Sequence, residues 1–278
     1  MMRSMSFVYW IVPVFILGAC VTTDDVSESS SSLETAPGYT GPYARPLSDM
    51  PPADNAESKA QIRTALGREY YNIIGRPDLA LEEARMALEK KSDYAPAYHL
   101  MGEVYAGLKQ DKEAEEAFRR ALNVAPGDPE FNTSYARFLC ARGRFTEAMP
   151  RFSTAAANPY YRFKTLPLAY AGECLLKNND PVRAEAQFSK ALEEDSSNSL
   201  ALYGLAESAY RRGNYRGAYN LLIQYHQRFQ PGAPSVWLGL RAARRLGERH
   251  TETSYAEQLR ERFANTPENA LMMQGKYE

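Results

Sequence analysis

The sequence predicts an all-α protein built as a right-handed superhelix of six helix-turn-helix repeats. Small residues recur in it at a 34-residue period that is broken once by a step of 36, and a column of mostly bulky apolar residues follows the same period with the same slip. Glycines that mark turns form a third column in the same register. One helix pair cannot bury its apolar face alone, so such a period indicates units that stack on one another.

The composition of the chain already argues against several classes of function. The 278 residues carry a formal net charge of −1, which excludes a polycation that binds nucleic acid, and a hydrophobic fraction of 44% is enough for a core. Three cysteines and three histidines are too few and too scattered for a disulfide scaffold, a zinc site or acid–base chemistry. The sequence therefore predicts no cofactor, no nucleic-acid partner and no small-molecule substrate.

Residues 1–19 are predicted to be a signal peptide. The apolar run at residues 7–17 is about eleven residues long, short of the ~20 that a membrane-spanning helix needs, and it contains Pro13. The run ends in Leu17-Gly18-Ala19-Cys20, which resembles the lipobox of bacterial lipoproteins.

That resemblance implies that the Cys20 thiol carries fatty acyl chains such as palmitate, and that the chain is cut just before this residue. Several acyl chains on one cysteine give stable anchoring. In lipoproteins, aspartate directly after the cysteine favours retention in the inner membrane, and Val21 stands there instead. The sequence therefore resembles lipoproteins that are held on the periplasmic face of the outer membrane. An uncleaved anchor and an ordinary signal peptide with a chance cysteine remain alternatives.

Residues 20–57 are predicted to be a disordered tether. Serine and glutamate fill residues 27–32, and prolines are scattered through the segment, so it cannot bury apolar area. A flexible chain of this length has a root-mean-square reach of about 35 Å. The tether would hold the folded part near the membrane without pressing it against the lipid.

Six helix pairs are predicted over residues 58–267, followed by a short C-terminal tail at residues 268–278. The first pair has one extra residue between Gly67 and Ala80. The small column is Ala80, Ala114, Ala148, Ala184 and Ala218, and the bulky column is Ala84, Phe118, Phe152, Phe188, Leu222 and Ala256. The pairs are predicted to start near Ser58, Pro96, Pro129, Thr165, Ser199 and Pro234.

One segment carries nearly the whole signature of the tetratricopeptide repeat (TPR), W-x2-L-G-x2-Y…A-x3-F…P, with tyrosine for tryptophan and methionine for leucine. The matching residues are Tyr98, Met101, Gly102, Tyr105, Ala114, Phe118, Ala121 and Pro126. The sequence thus resembles TPR proteins. Small residues are expected where two antiparallel helices cross closely, and the aromatic residues fill the space between repeats.

Cys140 and Cys174 are predicted to form a disulfide. Both fall on the first helix of their repeats, and first helices of adjacent repeats stack side by side, within the ~7 Å that a disulfide allows between Cα atoms. The signal places the domain in an oxidising periplasm, where such a bond persists. Two buried, unpaired thiols are the alternative.

A partner-binding groove is expected along the first helices, because TPR arrays bind ligands there. Counting from the small position on the first helix of each repeat, which Gly102 occupies in the second, gives the groove residues. They are Arg68, Tyr71, His99, Glu103 and Arg137, with Glu173, Glu207 and Tyr210 further along. Solvated surface is the alternative for each. His99 and Glu103 occupy positions where the clamp for chaperone carboxylates has lysine and asparagine, which argues against that partner.

The resemblance narrows to the type IV pilus biogenesis lipoproteins called PilW or PilF. It rests on Pro159-Tyr160, on Ala171-Gly172-Glu173-Cys174-Leu175, on Leu238-Gly239-Leu240-Arg241 and on Asn132-x-x-Tyr135-x-x-Phe138-Leu139-Cys140-x-x-Gly143-Arg144-Phe145-x-Glu147-Ala148. Ala136 stands where that family usually has glycine. The resemblance implies a pilotin, an outer-membrane lipoprotein that binds the pilus secretin and promotes its localisation and multimer assembly.

Two other classes remain as alternatives. One is a periplasmic TPR lipoprotein that acts as an adaptor for cell-wall enzymes or proteases. The other is an enzyme, which the sequence does not favour because it contains no G-x-S-x-G, Walker loop, H-E-x-x-H or dinucleotide fingerprint. The prediction is a protein that is not an enzyme.

Overall fold

The computed structural model describes residues 55–277. Cys20, the predicted signal peptide and the tether up to residue 54 lie outside the described residues. The described helices are α1 (Ala56–Glu69), α2 (Pro77–Lys90), α3 (Ala95–Gly107), α4 (Asp111–Val124), α5 (Pro129–Ala141), α6 (Phe145–Ala156), α7 (Thr165–Lys177), α8 (Pro181–Glu194), α9 (Ser199–Arg211), α10 (Tyr215–Arg228), α11 (Ala233–Leu246), α12 (Arg249–Arg262) and α13 (Pro267–Met273), with a π-helical turn, Tyr70–Ile74, after α1.

Six helix pairs, α1/α2 to α11/α12, form repeats 1 to 6, and successive helices pack against one another along the described chain. The prediction of an all-α fold of TPR-like repeats is confirmed. The first helix of each pair begins within two residues of its predicted start. No described helix combines the length and the apolar character that crossing a bilayer requires.

Local sequence signals explain where the helices begin. Proline occupies the first or second position of six of the described helices, where its missing N–H costs nothing and its fixed φ suits the helix. Polar side chains also cap helices: the Asp128 carboxylate at the start of α5 accepts hydrogen bonds from the backbone N–H groups of Glu130 and Phe131, both at 2.9 Å. Asn198 and Asn214 cap α9 and α10 in the same way.

The turn inside every repeat contains one residue in the left-handed region, at the same position of the period. In four repeats it is a glycine, which adopts this conformation without steric cost. In repeats 2 and 4 it is Lys109, with φ 61°, and Asn179, with φ 56°. The glycines are Gly75, Gly143, Gly213 and Gly247.

The small and bulky columns meet inside each repeat. All five alanines of the small column are fully buried, and Phe118, Phe152 and Phe188 are buried beside them. A Cβ atom added to Gly102 would lie 2.6 Å from Cδ1 of Phe118, so a larger residue would push this ring aside. Burying each such side chain contributes about 1.5–3 kcal/mol, and the close packing fixes how the two helices cross.

The two departures from the period have structural counterparts. The extra residue of repeat 1 is taken up by the π-helical turn, whose end is closed by a hydrogen bond of 2.8 Å from Arg76 N–H to the Tyr70 carbonyl. The slip of two residues falls in the α6–α7 connection, residues 157–164. There the Asn158 side chain accepts a hydrogen bond from Tyr160 N–H, and Tyr161 folds inward and is buried.

The segment assigned to a C-terminal tail contains α13, which packs on α11 and α12. Met272 is buried there, and the Tyr277 ring stacks on Trp237 with 5.6 Å between centroids. Helix α13 begins 34 residues after α11, as the first helix of a seventh repeat would. It therefore covers part of the apolar end of repeat 6, which is the role of a capping element in repeat proteins.

Candidate partner-binding surface

The first helices of the repeats, α1, α3, α5, α7, α9 and α11, pack side by side and present one residue each at equivalent positions. These six residues, each of which directly follows the position that Gly67 and Gly102 occupy in repeats 1 and 2, form what we call the charged column. Its members are Arg68, Glu103, Arg137, Glu173, Glu207 and Arg241. The signs of charge along it run plus, minus, plus, minus, minus, plus.

Four of the five predicted groove residues come together at repeats 1 and 2. The Arg68 guanidinium lies 3.1 Å from Nδ1 of His99 and 3.7 Å from a carboxylate oxygen of Glu103. The Tyr71 hydroxyl donates a hydrogen bond of 3.3 Å to the Glu103 carbonyl. Arg137 stands apart from this group, because its guanidinium lies over the Tyr170 ring, 4.3 Å from the centroid.

The prediction that His99 faces a partner is wrong. Its side chain is fully buried, because the rings of Phe131 and Phe118 cover it at centroid distances of 4.7 and 6.0 Å. The pKa of His99 is lowered to about 4: burial is the largest cause, Glu103 opposes it, and the charge of Arg68 adds to it. The imidazole is therefore neutral at pH 7.

The contacts of His99 also define its tautomer. The Arg68 guanidinium can only donate, so Nδ1 accepts and the ring proton is on Nε2. Nε2 lies 3.7 Å from a carboxylate oxygen of Glu103. The buried His99 thus contacts both Arg68 and Glu103. These two side chains are 24% and 32% exposed and form the surface that a partner could reach.

The charges of this early surface are largely satisfied within the protein. Arg68 also lies 3.6 Å from a carboxylate oxygen of Glu130, so two acids share its positive charge. Ser134 donates a hydrogen bond of 3.2 Å to Glu103. Partial burial and the nearby Glu103 charge raise the pKa of Tyr71, which keeps its hydroxyl a donor at neutral pH.

The later half of the charged column is less balanced. Glu173 and Glu207 are neighbours of like charge: burial raises the pKa of Glu173, Glu207 raises it further, and Lys177 and Arg137 oppose this. Arg211 donates a hydrogen bond of 3.0 Å to Glu207. Lys177 and Arg137 near Glu173, and Arg211 beside Glu207, thus offset part of the negative charge of these two acids.

Arg241 was not among the predicted groove residues, although the period contains the signal for it. It follows Leu240, which stands twelve residues before Glu252, as Gly102 stands twelve before Ala114. Its guanidinium lies over Tyr210 at 4.6 Å and over Trp237 at 5.6 Å, and its enclosed Nε has no hydrogen-bond partner among residues 55–277. Leu240 stands where the other repeats have a small residue, and Glu252 stands where they have alanine. The register of this repeat was therefore difficult to recognise from the sequence.

The predicted cysteine pair is joined by a disulfide that links α5 to α7, with 5.7 Å between the Cα atoms. Both half-cystines are buried. Repeats 3 and 4 are therefore connected covalently as well as by packing. Elsewhere in residues 55–277, no three histidine, cysteine or acidic side chains gather as metal ligands would.

The helical repeats and the column on their first helices define a protein of the TPR class. Sequence models of the tetratricopeptide repeat match residues 95–128 and 175–243, and both describe the repeat, not a catalytic family.

More specifically, the chain is homologous to the type IV pilus biogenesis proteins PilF and PilW, at 27–28% identity over most of its length. The type IV pilus assembly protein PilF of Pseudomonas aeruginosa is 27% identical over 213 residues, which are 75% of this chain and 82% of that protein. The crystal structure of PilW, described as a widely conserved type IV pilus biogenesis factor, matches with a TM-score of 0.72 and 28% identity over 77% of this chain and 98% of that chain. The PilF structure matches with a TM-score of 0.70 and 24% identity, over 80% and 99% of the two chains, and at that identity it supports the fold alone.

Proposed function

We propose that this protein acts in type IV pilus biogenesis as a pilotin. In that role it binds the pilus secretin, promotes its localisation to the outer membrane and helps it assemble into multimers. The observation that carries the proposal is the similarity to PilW over 77% of this chain and 98% of that chain.

The N-terminal sequence supports an anchored protein. Leu17-Gly18-Ala19-Cys20 fits lipid attachment at Cys20, and Val21 fits transfer to the outer membrane, on its periplasmic face. Acyl chains together bind a bilayer stably, whereas one chain binds only marginally. A lipid-anchored repeat array is suited to carrying another envelope protein to the membrane.

Secretin capture is assigned to the surface at repeats 1 and 2. Arg68, Tyr71 and Glu103 are partly exposed there and offer a cation, an aromatic ring and an anion within one patch. Mixed aromatic and polar patches of this kind are typical of protein interfaces. His99 contributes by holding Arg68 in place, not by touching the partner.

The test compares secretin assembly with and without this protein. Deleting the chain should leave secretin monomers that are made but not assembled into heat-resistant multimers, and pili should be absent. Complementation with a Tyr71→Ala, Glu103→Ala double variant should restore the protein level but not full secretin assembly, whereas the exposed substitution Glu116→Ala on α4 should restore both. If multimers form normally without the protein, the pilotin proposal is wrong, and co-purifying hydrolases or synthases would support an adaptor for cell-wall enzymes.

A further inference from the structure

We propose that the groove beside α13, at the C-terminal end of the array, binds an amphipathic helix of another protein. This helix carries an apolar stripe between two acidic residues that stand three turns apart on the same face. The groove is built from α11, α12, α13 and the residues that follow α13. It shares no residue with the surface assigned to secretin capture, so the proposal does not depend on the secretin being a partner.

The first step is that the seventh repeat is incomplete. Helix α13 begins 34 residues after α11, but it has 7 residues, whereas α11 has 14. Gly275, with φ 68°, turns the chain after α13, and Tyr277 then stacks on Trp237 of α11. The second half of a regular first helix would lie against α12, and this part of α12 is therefore left uncovered.

The second step is the groove that results. It has a volume of about 570 Å³, and its apolar lining comes from Leu240 of α11, Ala256 of α12, and Met272 and Met273 of α13. Met273 is 67% exposed. In repeat 5, the residue at the position of Ala256 is Leu222, which is fully buried where α10 packs on α11. A helix covers this position inside the array, so a helix is the occupant that fits it at the end of the array.

The third step is the charge at the two ends of the groove. Arg249 and Arg260 also line it and are exposed, and in residues 55–277 neither lies within ion-pair distance of an acidic side chain. Glu252, which stands between them, is paired with Arg244 at 2.7 Å. The groove therefore offers two unpaired positive charges. Arg249 is also the first residue of α12, where the helix dipole favours an anion.

The fourth step is the spacing of these charges. Arg249 and Arg260 are eleven residues apart in one helix, which is three turns, so they lie on the same face about 16 Å apart along the axis. A partner helix rises by the same amount per residue. Acidic residues at its positions i and i+11 would face the two arginines, and apolar residues at i+3, i+4 and i+7 would enter the groove between them. Methionine side chains adapt to apolar residues of different shape.

The experiment uses two peptides of identical composition and net charge, A-Q-E-A-Q-L-L-A-Q-L-A-Q-A-E-Q-A and A-Q-Q-A-E-L-L-A-Q-L-A-E-A-Q-Q-A. As helices, the first places both glutamates on the face of the leucines, and the second places them on the opposite face. Each is blocked at both ends, labelled, and titrated with the full chain in fluorescence anisotropy at low salt. We expect the first peptide to bind about tenfold more tightly, because only its glutamates reach the two arginines.

Variants locate the binding. Arg249→Gln and Arg260→Gln should together remove the difference between the two peptides, and Met273→Lys should weaken the binding of both. The control is Arg262→Gln, also on α12, whose guanidinium lies over Phe263 and not in the groove. It should bind as the unmodified chain does, and circular dichroism checks that every variant is folded.

Three results would overturn the proposal: equal binding of the two peptides, no binding at about 1 mM, or binding that the groove variants leave unchanged. A fourth would assign the groove to a second copy of this chain. In that case, sedimentation would show a dimer that Met273→Lys dissociates. None of these results bears on secretin assembly, which is measured separately.

Discussion

His99 shows how one buried side chain can link stability to pH. Its imidazole stays neutral in the folded protein, with a pKa of about 4, whereas in the unfolded chain it titrates near 6.5. Between these values the unfolded state binds the extra proton, so the free energy of unfolding falls as the pH is lowered from 6.5 to 4. The two pKa values together predict a loss of about 3 kcal/mol from this group.

We predict that His99→Gln makes the thermal midpoint less sensitive to pH between 6.5 and 4 than that of the unmodified protein. Glutamine keeps an acceptor for Arg68 but does not titrate, so the difference between the two curves isolates the imidazole. The measurement is the thermal midpoint by circular dichroism at half-unit pH steps. Parallel curves for the two proteins would show that burial of His99 does not couple to protonation.

His99 also marks the limit of the sequence-based prediction at the level of single residues. Counting along the period selected Arg68, Tyr71 and Glu103, which the structure brings into contact because the period fixes which helix face each residue occupies. Their role in binding a partner stays a prediction. The count cannot show that Phe131, from the next repeat, lies over the imidazole, since this depends on how two repeats pack. Arg241 was missed for a different reason, because its repeat lacks the small residues that mark the register.

At the level of elements, the backbone conformation of the turns follows the period more closely than the residue type does. Each of the six turns places one residue in the left-handed region, and Lys109 takes this conformation without being glycine. A side chain in that region costs about 1–2 kcal/mol, which glycine avoids at some cost in chain entropy.

We predict that Lys109→Gly raises the free energy of unfolding by about 0.5–1 kcal/mol. The matched control is Lys112→Gly, three residues later in α4, where the backbone is helical and glycine should destabilise. Urea unfolding followed by circular dichroism measures both. A loss of stability in Lys109→Gly equal to that of the control would contradict the proposed strain.

The link between α5 and α7 leads to a prediction for the covalent structure. Thiol counting on unfolded, non-reduced protein carrying Cys20→Ser should detect no free thiol from Cys140 or Cys174. Replacing both by alanine should lower the free energy of unfolding by about 3–4 kcal/mol, because the open 34-residue loop gains entropy in the unfolded chain. Two titratable thiols would mean that the pair is reduced.

The elements themselves were predictable from the columns of small and bulky residues, apart from three local features. The extra residue of repeat 1 was detectable by counting, but the π-helical turn that contains it depends on packing of Tyr71 against α3. In the sequence, the eight-residue α6–α7 connection was detectable only as two extra residues in the 34-residue period. Helix α13 went unrecognised because seven residues are too short for a periodic signal.

On the scale of the whole molecule, the predicted anchor at Cys20 and the surface proposed for partner binding belong to separate parts of the chain. At least 34 residues lie between Cys20 and the first described residue, Asn55. The predicted reach of such a segment, about 35 Å if flexible, allows the array to bind a partner away from the lipid surface.

We predict that Cys20→Ser abolishes acylation and removes the protein from outer-membrane fractions, while the repeat array stays folded. The reason is that the acyl chains predicted on this cysteine supply the membrane anchoring. Mass spectrometry of the mature chain and membrane fractionation provide the measurement, with Ser4→Ala, within the predicted signal peptide, as the control. Unchanged mass and fractionation would refute lipid attachment at Cys20.

The covalent link between repeats 3 and 4 has a consequence for how the array opens. In a stacked array, each repeat contacts only its neighbours. The terminal repeats therefore unfold locally first, and unfolding proceeds inward from the ends. The disulfide makes the two central repeats open as one cooperative unit, and fraying that begins at either end stops there. Amide hydrogens of α5 and α7 should then exchange last, which leaves the terminal repeats free to adapt to partners while the centre keeps the register of the charged column.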